Sequence, residues 1–377
     1  MFHYRNRNTC NIRLVNIMKL PQPRKIIAEK YVAGLSLFKS RRSPIKLSAN
    51  ESALGPSPKA VKSYSSIGKG FVRYPDSDGT YFRKVLAKKF KLKRDRIILG
   101  SGSDQIFELV CKLFLNKGDE VVVPEYSFII YRIYSRMFGA KVRYAKEENF
   151  VASVDSIMNC VNKKTKIVFL ANPNNPTGTY LNKNDVLNLR KKLRSDILLV
   201  IDDAYFEYIK DPEYSSGIDL FSKSENVIIT RTFSKIYGLA GLRIGWGYGP
   251  KKLIKKLYEI KPPFNVSRPA LFAATQAVLD TKWLNKAIQH NNFWAEKIFS
   301  VIDEIGISTN RTNVNFFLLN FDFVNKSASQ VFNKLANSGI LVRQMDVYGI
   351  KNSLRVTIGN SKENKKFISV LRKIFNV

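Results

Sequence analysis

The 377-residue sequence predicts an α/β fold built on a mostly parallel β-sheet. Short runs of apolar and β-branched residues alternate along the chain with longer amphipathic stretches, which is typical of this class. Five of the runs are almost continuously apolar, as strands covered on both faces must be. In chain order they are EVVVP (120–124), KIVFLA (166–171), ILLVID (197–202), NVIIT (226–230) and LRIGW (242–246). The sheet is therefore expected to be sandwiched between helices.

Amphipathic stretches between these runs predict the helices. Residues 103–116 and 183–194 are the clearest examples. In the first, apolar residues recur at helical spacing, namely Ile106, Leu109, Val110, Leu113 and Phe114. This periodicity predicts one helix face packed against the sheet.

The pattern changes after KPPFNVSRP (261–269), where Pro262 and Pro263 interrupt any helix. A long helical region then runs to about residue 305, followed by NFFLLNF, a helix over about 327–338, LRVTIG and a terminal helix. We expect a large domain over residues 49–264 and a smaller α/β domain over residues 265–377. Residues 1–48 are expected to pack with the small domain or on a partner subunit.

The chain is strongly basic, with 63 Lys and Arg against 30 Asp and Glu and a formal net charge of +33. Such a charge attracts nucleic acid, anionic membranes or anionic substrates. The lysines are spread along the chain as pairs on presumed helix faces, for example Lys88 and Lys89 or Lys191 and Lys192. This distribution favours a solvated surface over nucleic-acid binding, and a phosphorylated substrate would still gain some attraction.

Several other classes of protein are disfavoured. No apolar run approaches the roughly 18 residues that a membrane-spanning helix needs. Three scattered cysteines, Cys10, Cys111 and Cys160, fit neither a metal site nor a disulfide framework, so we expect a reducing compartment, the cytoplasm. Residues 1–28 hold no acidic residue, and Met18 is an alternative start to Met1.

Polar groups follow three of the predicted strands, at the sheet edge where open α/β sheets bind ligands. KIVFLA is followed by NPNNPTG, ILLVID ends on Asp202, and NVIIT is followed by RTFSK. These segments bring together Asn175, Asp202, Tyr205, Ser234 and Lys235. Considered one at a time, each residue also has a structural explanation. Asn175 could shape a turn, Asp202 could cap the start of the following segment, and Lys235 could be a surface lysine. Jointly they indicate a site, because a buried acid at a strand end needs a partner.

A glycine-rich segment, GSGSD (100–104), precedes the first predicted helix. Its backbone amides and the helix N-terminus suit a phosphate group. A dinucleotide site is a weaker alternative, since the third glycine of the dinucleotide-binding motif is missing and Lys235 would have no function in such a site.

A phosphate site, a buried carboxylate, a lysine in an apolar strip and a second cation, Arg243, together fit pyridoxal phosphate. Lys235 would form the Schiff base, and Asp202 would pair with the pyridine nitrogen. Arg243 and Ser234 would hold the phosphate, while Asn175 and Tyr205 would hydrogen-bond the ring's phenolate oxygen.

The motifs RYPD, GSGSDQ, NPNNPTG, DDAY and SKIYGLAGLRIGW, in this order, resemble those of the fold-type I aminotransferases. Within that group they are similar to the histidinol-phosphate aminotransferase family, from about residue 25 to the end. The resemblance implies a pyridoxal-phosphate enzyme of L-histidine biosynthesis that acts on a phosphorylated amine and on 2-oxoglutarate or glutamate. Threonine-phosphate decarboxylases and aromatic or other amino-acid aminotransferases share these motifs and remain alternatives.

The resemblance also implies roles residue by residue. Lys235, Asp202 and Tyr205 fall on catalytic positions, and Phe128 matches an aromatic stacked on the cofactor ring. Other positions that match cofactor contacts are Gly102, Ser103, Asp104, Asn175, Thr232, Ser234 and Arg243. Tyr74 matches a tyrosine that reaches the phosphate in the neighbouring subunit, which implies a homodimer with shared sites. Arg343 and Arg355 match substrate-binding arginines, and no metal is expected.

Two positions depart from the family's usual pattern. Asp203 stands where glutamate is more common, and Gln105 where an acid is common. A non-catalytic, nucleic-acid-binding protein on the same fold is a remote alternative, disfavoured because Lys235, Asp202 and Arg243 are all present.

Overall fold

The computed structural model describes residues 26, 29–32, 34 and 44–377. The expectations about Met1, Met18 and Cys10 lie outside these residues, as does most of the N-terminal arm. The described chain forms a large sheet with helices on both faces, a second, smaller sheet and one two-stranded pairing.

The large sheet has seven strands. They are β2 (Ile97–Gly100), β3 (Glu120–Pro124), β4 (Lys141–Ala145), β5 (Thr165–Ala171), β6 (Leu198–Asp202), β7 (Val227–Thr232) and β8 (Gly245–Tyr248). Their spatial order is β2-β8-β7-β6-β5-β3-β4, and β8 alone runs antiparallel to its neighbours. The predicted mostly parallel sheet is confirmed.

Helices cover both faces of this sheet, because alternate residues along a strand point to opposite sides. In β6, Leu199 and Ile201 belong to one buried apolar cluster, whereas Val200 belongs to another. The helices up to the end of this region are α1 (Pro58–Ser65), α2 (Thr80–Lys89), α3 (Ser103–Phe114), α4 (Ile129–Met137), α5 (Val154–Cys160), α6 (Lys183–Lys192), α7 (Gly217–Phe221) and α8 (Lys251–Ile260). A buried apolar layer therefore lies on each face of the sheet, as the apolar runs predicted.

The C-terminal region has its own sheet. After α9 (Arg268–Leu279) and α10 (Thr281–Ile305), the strands β9 (Ser308–Thr309), β10 (Phe316–Asn320), β12 (Arg343–Gln344) and β13 (Ser353–Thr357) form an antiparallel sheet in the order β12-β13-β10-β9. Helices α11 (Ala328–Asn337) and α12 (Ser361–Phe375) pack with it around a separate buried cluster. This arrangement puts Arg343 opposite Arg355 in neighbouring strands.

The two-stranded pairing links the start of the described chain to this region. β1 (Ile45–Lys46) pairs in parallel with β11 (Ile340–Leu341). Helix α9 packs instead against α1 and α2, which flank the large sheet. The domain limits at 48/49 and 264/265 stay a proposal.

The predicted strand bounds need one main correction. LRIGW was expected to be a strand over 242–246, and β8 begins only at Gly245. Leu242 ends a 3₁₀ turn and Arg243 adopts a left-handed backbone conformation with φ of 51°. The strand prediction was wrong at this end because the apolar run includes a turn.

None of the helices in the described part of the chain is long and apolar enough to cross a membrane.

Candidate active site

A cavity of about 280 Å³ lies at the carboxyl ends of β5, β6 and β7. Most of the residues predicted to form a site line this one cavity, namely Ser103, Asp104, Phe128, Asn175, Asp202, Tyr205, Thr232, Ser234, Lys235, Arg243, Arg343 and Arg355. They come from segments far apart in sequence, because neighbouring parallel strands end at the same edge. The predicted convergence of strand ends is therefore observed.

Lys235 follows β7 and projects its ammonium group into the cavity. Its Nζ donates to the Ala49 carbonyl at 3.3 Å and lies 5.6 Å from the centre of the Tyr205 ring. Burial and, secondly, the nearby Arg355 charge lower the pKa of Lys235 to about 8. The amine is thus much easier to deprotonate near neutral pH than an ordinary lysine, whose pKa is about 10.4.

This lowered pKa leads to a testable prediction for the cofactor-free protein. The neutral amine is the nucleophile, so Lys235 should react with an amine-selective acylating reagent at a rate that levels off above about pH 9. Mass spectrometry of the labelled peptide follows that rate against pH, with an unstructured lysine peptide as the reference. A rate that keeps rising in parallel with the reference up to pH 11 would contradict the lowered pKa.

Asp202 ends β6 with its carboxylate buried. Tyr131 donates its hydroxyl to Oδ2 at 2.7 Å, and the Thr230 hydroxyl donates to Oδ1 at 3.3 Å. Burial raises the pKa of Asp202 to about 6. No cation in the described part of the chain forms an ion pair with this carboxylate, so a positively charged ligand group would find a partner here.

Tyr205 and Asn175 approach the cavity from two adjacent strands. The Tyr205 hydroxyl accepts a hydrogen bond from Asn50 Nδ2 at 3.0 Å, and burial raises the pKa of this phenol to about 12. Asn175 accepts a hydrogen bond from Arg355 through its Oδ1. Both side chains therefore offer neutral hydrogen-bonding groups to a ligand beside Lys235.

The glycine-rich segment and Arg243 form one side of the cavity. Gly102 precedes α3 with φ of 80°, and a Cβ at this position would lie 2.6 Å from Arg243 Nη2. Arg243 donates to Ser234 Oγ at 3.3 Å and to Asp104 Oδ2 at 3.2 Å. The guanidinium, the serine hydroxyl and the α3 N-terminus thus surround a space suited to a phosphate.

The backbone after Lys235 depends on a close approach at Gly238. This residue has φ of 70°, and a Cβ here would lie 2.3 Å from the Gly55 carbonyl carbon. Only glycine fits such a position. At Gly241, by contrast, a Cβ would meet nothing within 4 Å, so no close contact requires glycine there.

Two arginines from the small sheet also line the cavity. Arg355 is 6% exposed and donates to the Ser48 carbonyl at 3.1 Å, while its Nε has no hydrogen-bond partner. Arg343 is 8% exposed and donates to the Val32 carbonyl at 2.5 Å. Neither guanidinium forms an ion pair within the described residues. Two buried, unpaired cations at one cavity favour an anionic ligand.

Tyr74 is the predicted site residue that lies elsewhere in this chain. It is 80% exposed, stacks on Phe264 with ring centres 4.5 Å apart, and borders a separate surface depression beside α2 and α9. Its hydroxyl therefore contributes nothing to the cavity of its own chain. Within the described residues, no group of acidic, cysteine or histidine side chains is arranged to hold a metal ion.

Some residues around the cavity were missed from the sequence. Tyr131 and Thr230 hold Asp202, Asn50 holds Tyr205, and Tyr31 and Tyr348 line the cavity. The only available signal was the position of Tyr131 three residues after Phe128, which places both near one face at the start of α4.

Comparisons with known proteins agree with this architecture. The model of the family described as aminotransferase class I and II matches residues 42–371. The chain belongs to this family.

Among curated relatives, the chain is 50% identical to the histidinol-phosphate aminotransferase of Pelagibacter ubique, over 95% of this chain and all of that protein. It is 40% identical to the histidinol-phosphate aminotransferase of Paramagnetospirillum magneticum, over 94% of this chain and 99% of that protein.

Solved structures show the same fold. Histidinol-phosphate aminotransferase from Sinorhizobium meliloti, in complex with pyridoxal-5'-phosphate, superimposes with a TM-score of 0.83 at 23% identity, over 89% of this chain and 92% of that chain. The enzyme from Clostridium acetobutylicum gives a TM-score of 0.81 at 24% identity, over 88% of this chain and 99% of that chain.

Proposed function

We propose that this protein is a pyridoxal-phosphate-dependent aminotransferase of L-histidine biosynthesis. It exchanges an amino group between histidinol phosphate and 2-oxoglutarate, giving imidazole acetol phosphate and glutamate. The observation that supports this most strongly is that two buried arginines, Arg343 and Arg355, line the same cavity as Lys235 and form no ion pair within the described residues. Both substrates are anionic, and the names of the curated relatives point to the same reaction.

The residues present fit the cofactor. Asp202 is a buried carboxylate that lacks a cationic partner among the described residues, which suits a protonated pyridine nitrogen. Arg243, Ser234 and the amides that begin α3 suit a phosphate, and the space next to Gly102 would be filled by a Cβ. Phe128 lines the same cavity, and an aromatic ring suits stacking on the ring of the cofactor. When bound, the cofactor supplies an electron sink for the carbanion left when the α-proton departs.

The chain's own residues then hold the reactants and move the proton. Lys235, with its lowered pKa, takes the α-proton on Nζ as a general base and returns it as a general acid. Asp202 would hold the protonated pyridine nitrogen and would keep its negative charge there, because a neighbouring cation lowers the pKa of a buried acid. Tyr205 and Asn175 provide hydrogen bonds beside Lys235.

Substrate recognition falls to the two arginines. Arg355, held by the Ser48 carbonyl and Asn175, offers its guanidinium to the carboxylate of glutamate or 2-oxoglutarate. We assign the phosphate of the amine donor to Arg343, which lies on the neighbouring strand and lines the cavity. A planar guanidinium grips either anion through two hydrogen bonds, which lysine cannot do.

Replacing Arg343 by glutamine tests its role. We expect KM for histidinol phosphate to rise about 10- to 100-fold, because a charge-assisted hydrogen bond is lost, while kcat changes little. Arg343→Lys should fall between wild type and Arg343→Gln, since it keeps the charge and loses the fork geometry. Steady-state kinetics at saturating 2-oxoglutarate measure both, and an unchanged KM in Arg343→Gln would contradict the assignment.

The reaction itself is tested by incubating the purified holoenzyme with histidinol phosphate and 2-oxoglutarate and measuring glutamate formation. Glutamate should appear in step with imidazole acetol phosphate. Threonine phosphate serves as the contrasting substrate, because a decarboxylase of the same fold would release carbon dioxide from it. Carbon dioxide release without glutamate formation would overturn the proposed function.

We further propose that the protein is a homodimer with shared sites. An exposed apolar surface includes Phe71, Val72, Tyr74 and Tyr81, each at least 69% exposed. Exposed apolar patches of this kind mark protein interfaces. Tyr74 has no role in its own chain's cavity, which fits a residue that completes the site of a second copy.

Subunit mixing tests the shared site. Tyr74→Phe should lower activity, because the phosphate of the neighbouring cofactor loses a hydrogen-bond donor. Co-refolded or co-expressed Tyr74→Phe and Lys235→Ala chains should be more active than the sum of the two separate variants, since one hybrid site contains Tyr74 and Lys235. Light scattering checks the mass. Activity that is only additive in a mixed population of dimers would contradict the shared site.

We propose a cytoplasmic location. Cys111 is buried, Cys160 is half-buried, and both are free thiols, which is what a reducing compartment allows.

A further inference from the structure

A buried cluster of charged and aromatic side chains lies beside the cavity without lining it. Its centre is Arg231, 4% exposed, which forms an ion pair with Asp203 at 3.5 Å and donates to Ser216 Oγ at 2.9 Å. The guanidinium carbon lies 3.5 Å from the centre of the Phe206 ring. Such a cation is costly to bury and needs these partners.

Strand geometry explains why this cluster is separate from the cavity. Arg231 lies in β7 between Thr230, which holds Asp202, and Thr232, which lines the cavity. Successive side chains of a strand point to opposite faces, so Arg231 faces away. Asp203, the residue after Asp202, lies on the same side as Arg231 and accepts from the Gly217 amide through both carboxylate oxygens, at 3.1 and 3.0 Å.

Two further members of the cluster are close in sequence to Tyr205 and Lys235. Glu207 is two residues after Tyr205, and Tyr237 is two residues after Lys235. Burial and, secondly, the nearby Glu207 carboxylate raise the pKa of the Tyr237 hydroxyl. Burial raises the pKa of Glu207 to about 8 and that of Asp203 to about 7, and the Arg231 charge opposes both shifts. The cluster thus contains one cationic side chain, Arg231, and two acidic side chains.

We propose that Arg231, Asp203, Glu207 and Tyr237 act as a positioning cluster that fixes the relative placement of Asp202, Tyr205 and Lys235. Asp202 and Tyr205 belong to the segment that ends β6, whereas Lys235 follows β7, and within the described residues the Arg231–Asp203 ion pair joins these two segments. None of its members touches the cavity, so they act through the backbone segments they share with the reacting groups. The inference rests on the proposed function only for its kinetic readout.

The test compares Asp203→Asn with Asp203→Glu, and Tyr237→Phe serves as a second, milder variant. We expect Asp203→Asn to lower kcat about 10- to 100-fold with little change in KM, because small misplacements of reacting groups are costly. The visible absorption of the bound cofactor, titrated with pH in the absence of substrate, should shift its midpoint in Asp203→Asn and Tyr237→Phe. Asp203→Glu, which keeps the charge, should restore both readouts.

Glu120→Gln is the matched control. Glu120 is 4% exposed, starts β3 in the same sheet, and pairs with Arg143 far from the cavity. Its loss should lower the melting temperature without changing the cofactor spectrum. If the Asp203 and Tyr237 variants behave like Glu120→Gln, losing stability alone, the positioning role is wrong. A wild type that fails to use histidinol phosphate would overturn the proposed function and leave the spectral comparison intact.

Discussion

Replacing Lys235 by alanine is expected to reduce turnover by about 10³-fold or more, because it removes the proposed general acid–base group. The visible absorbance of the cofactor bound through this lysine should vanish as well. Its Nζ lies in the cavity among Ala49, Tyr205 and the arginines, and its pKa is lowered to about 8 by burial. No other lysine lines this cavity in the described part of the chain.

Kinetics and an absorbance spectrum of the purified variant measure both effects. Lys334→Ala on the exposed side of α11 is the matched control, since it makes the same substitution at a lysine on the surface of this basic protein. It should retain wild-type turnover and absorbance. A Lys235→Ala protein that keeps both the colour and the activity would refute the assignment of Lys235.

Replacing Asp202 by asparagine should lower kcat about 10²- to 10³-fold, because a fixed charge that stabilises the transition state is lost. Asparagine keeps the size of the side chain and its place at the end of β6. What it removes is the negative charge that keeps a pyridine nitrogen protonated. Stopped-flow measurement of the first half-reaction isolates this effect from substrate binding.

Tyr131→Phe gives a graded comparison for Asp202. The Tyr131 hydroxyl donates to Asp202 Oδ2 at 2.7 Å, so its loss removes one hydrogen bond and leaves the charge. We expect a decrease of about tenfold, between wild type and Asp202→Asn. Equal activity of Asp202→Asn and wild type would show that the carboxylate charge has no part in the reaction.

The strands that are covered on both faces were predictable, because burial on both sides leaves a continuous apolar run. EVVVP coincides with β3, and KIVFLA differs from β5 by one residue. The edge strand β4, KVRYA, was not predicted, because its residues alternate between more and less exposed positions and form no continuous apolar run. The strand predicted over LRIGW was wrong at its start for a different reason. A turn in which Arg243 adopts a left-handed backbone conformation interrupts the apolar run.

The candidate site was predictable where residues directly follow strands. Asp202 and Lys235 belong to that group, since parallel strands end at one edge of a sheet. The partners of these residues were not predictable. Tyr131 is 71 positions from Asp202 and Asn50 is 155 positions from Tyr205, so only the folded chain brings them together. The Arg231 cluster was hidden for a related reason, because its residues alternate in sequence with the cavity residues and point the other way.

The proposed homodimer explains the exposure of Tyr74. A residue that serves a second copy of the chain is exposed in a single copy, and here it lies on an apolar surface. The sequence pattern RYPD suggested the role, while the single chain places the side chain on a surface beside Phe264.

The most direct test of the proposed function is the ratio of kcat/KM for histidinol phosphate to that for histidinol, which lacks only the phosphate. Both are measured on the holoenzyme with 2-oxoglutarate as acceptor. We expect a ratio of about 10² or more, because in the proposed function Arg343 pairs with the phosphate and charge-assisted hydrogen bonds contribute on this scale. A ratio near one, or a preference for an unphosphorylated aromatic donor, would contradict the proposed function.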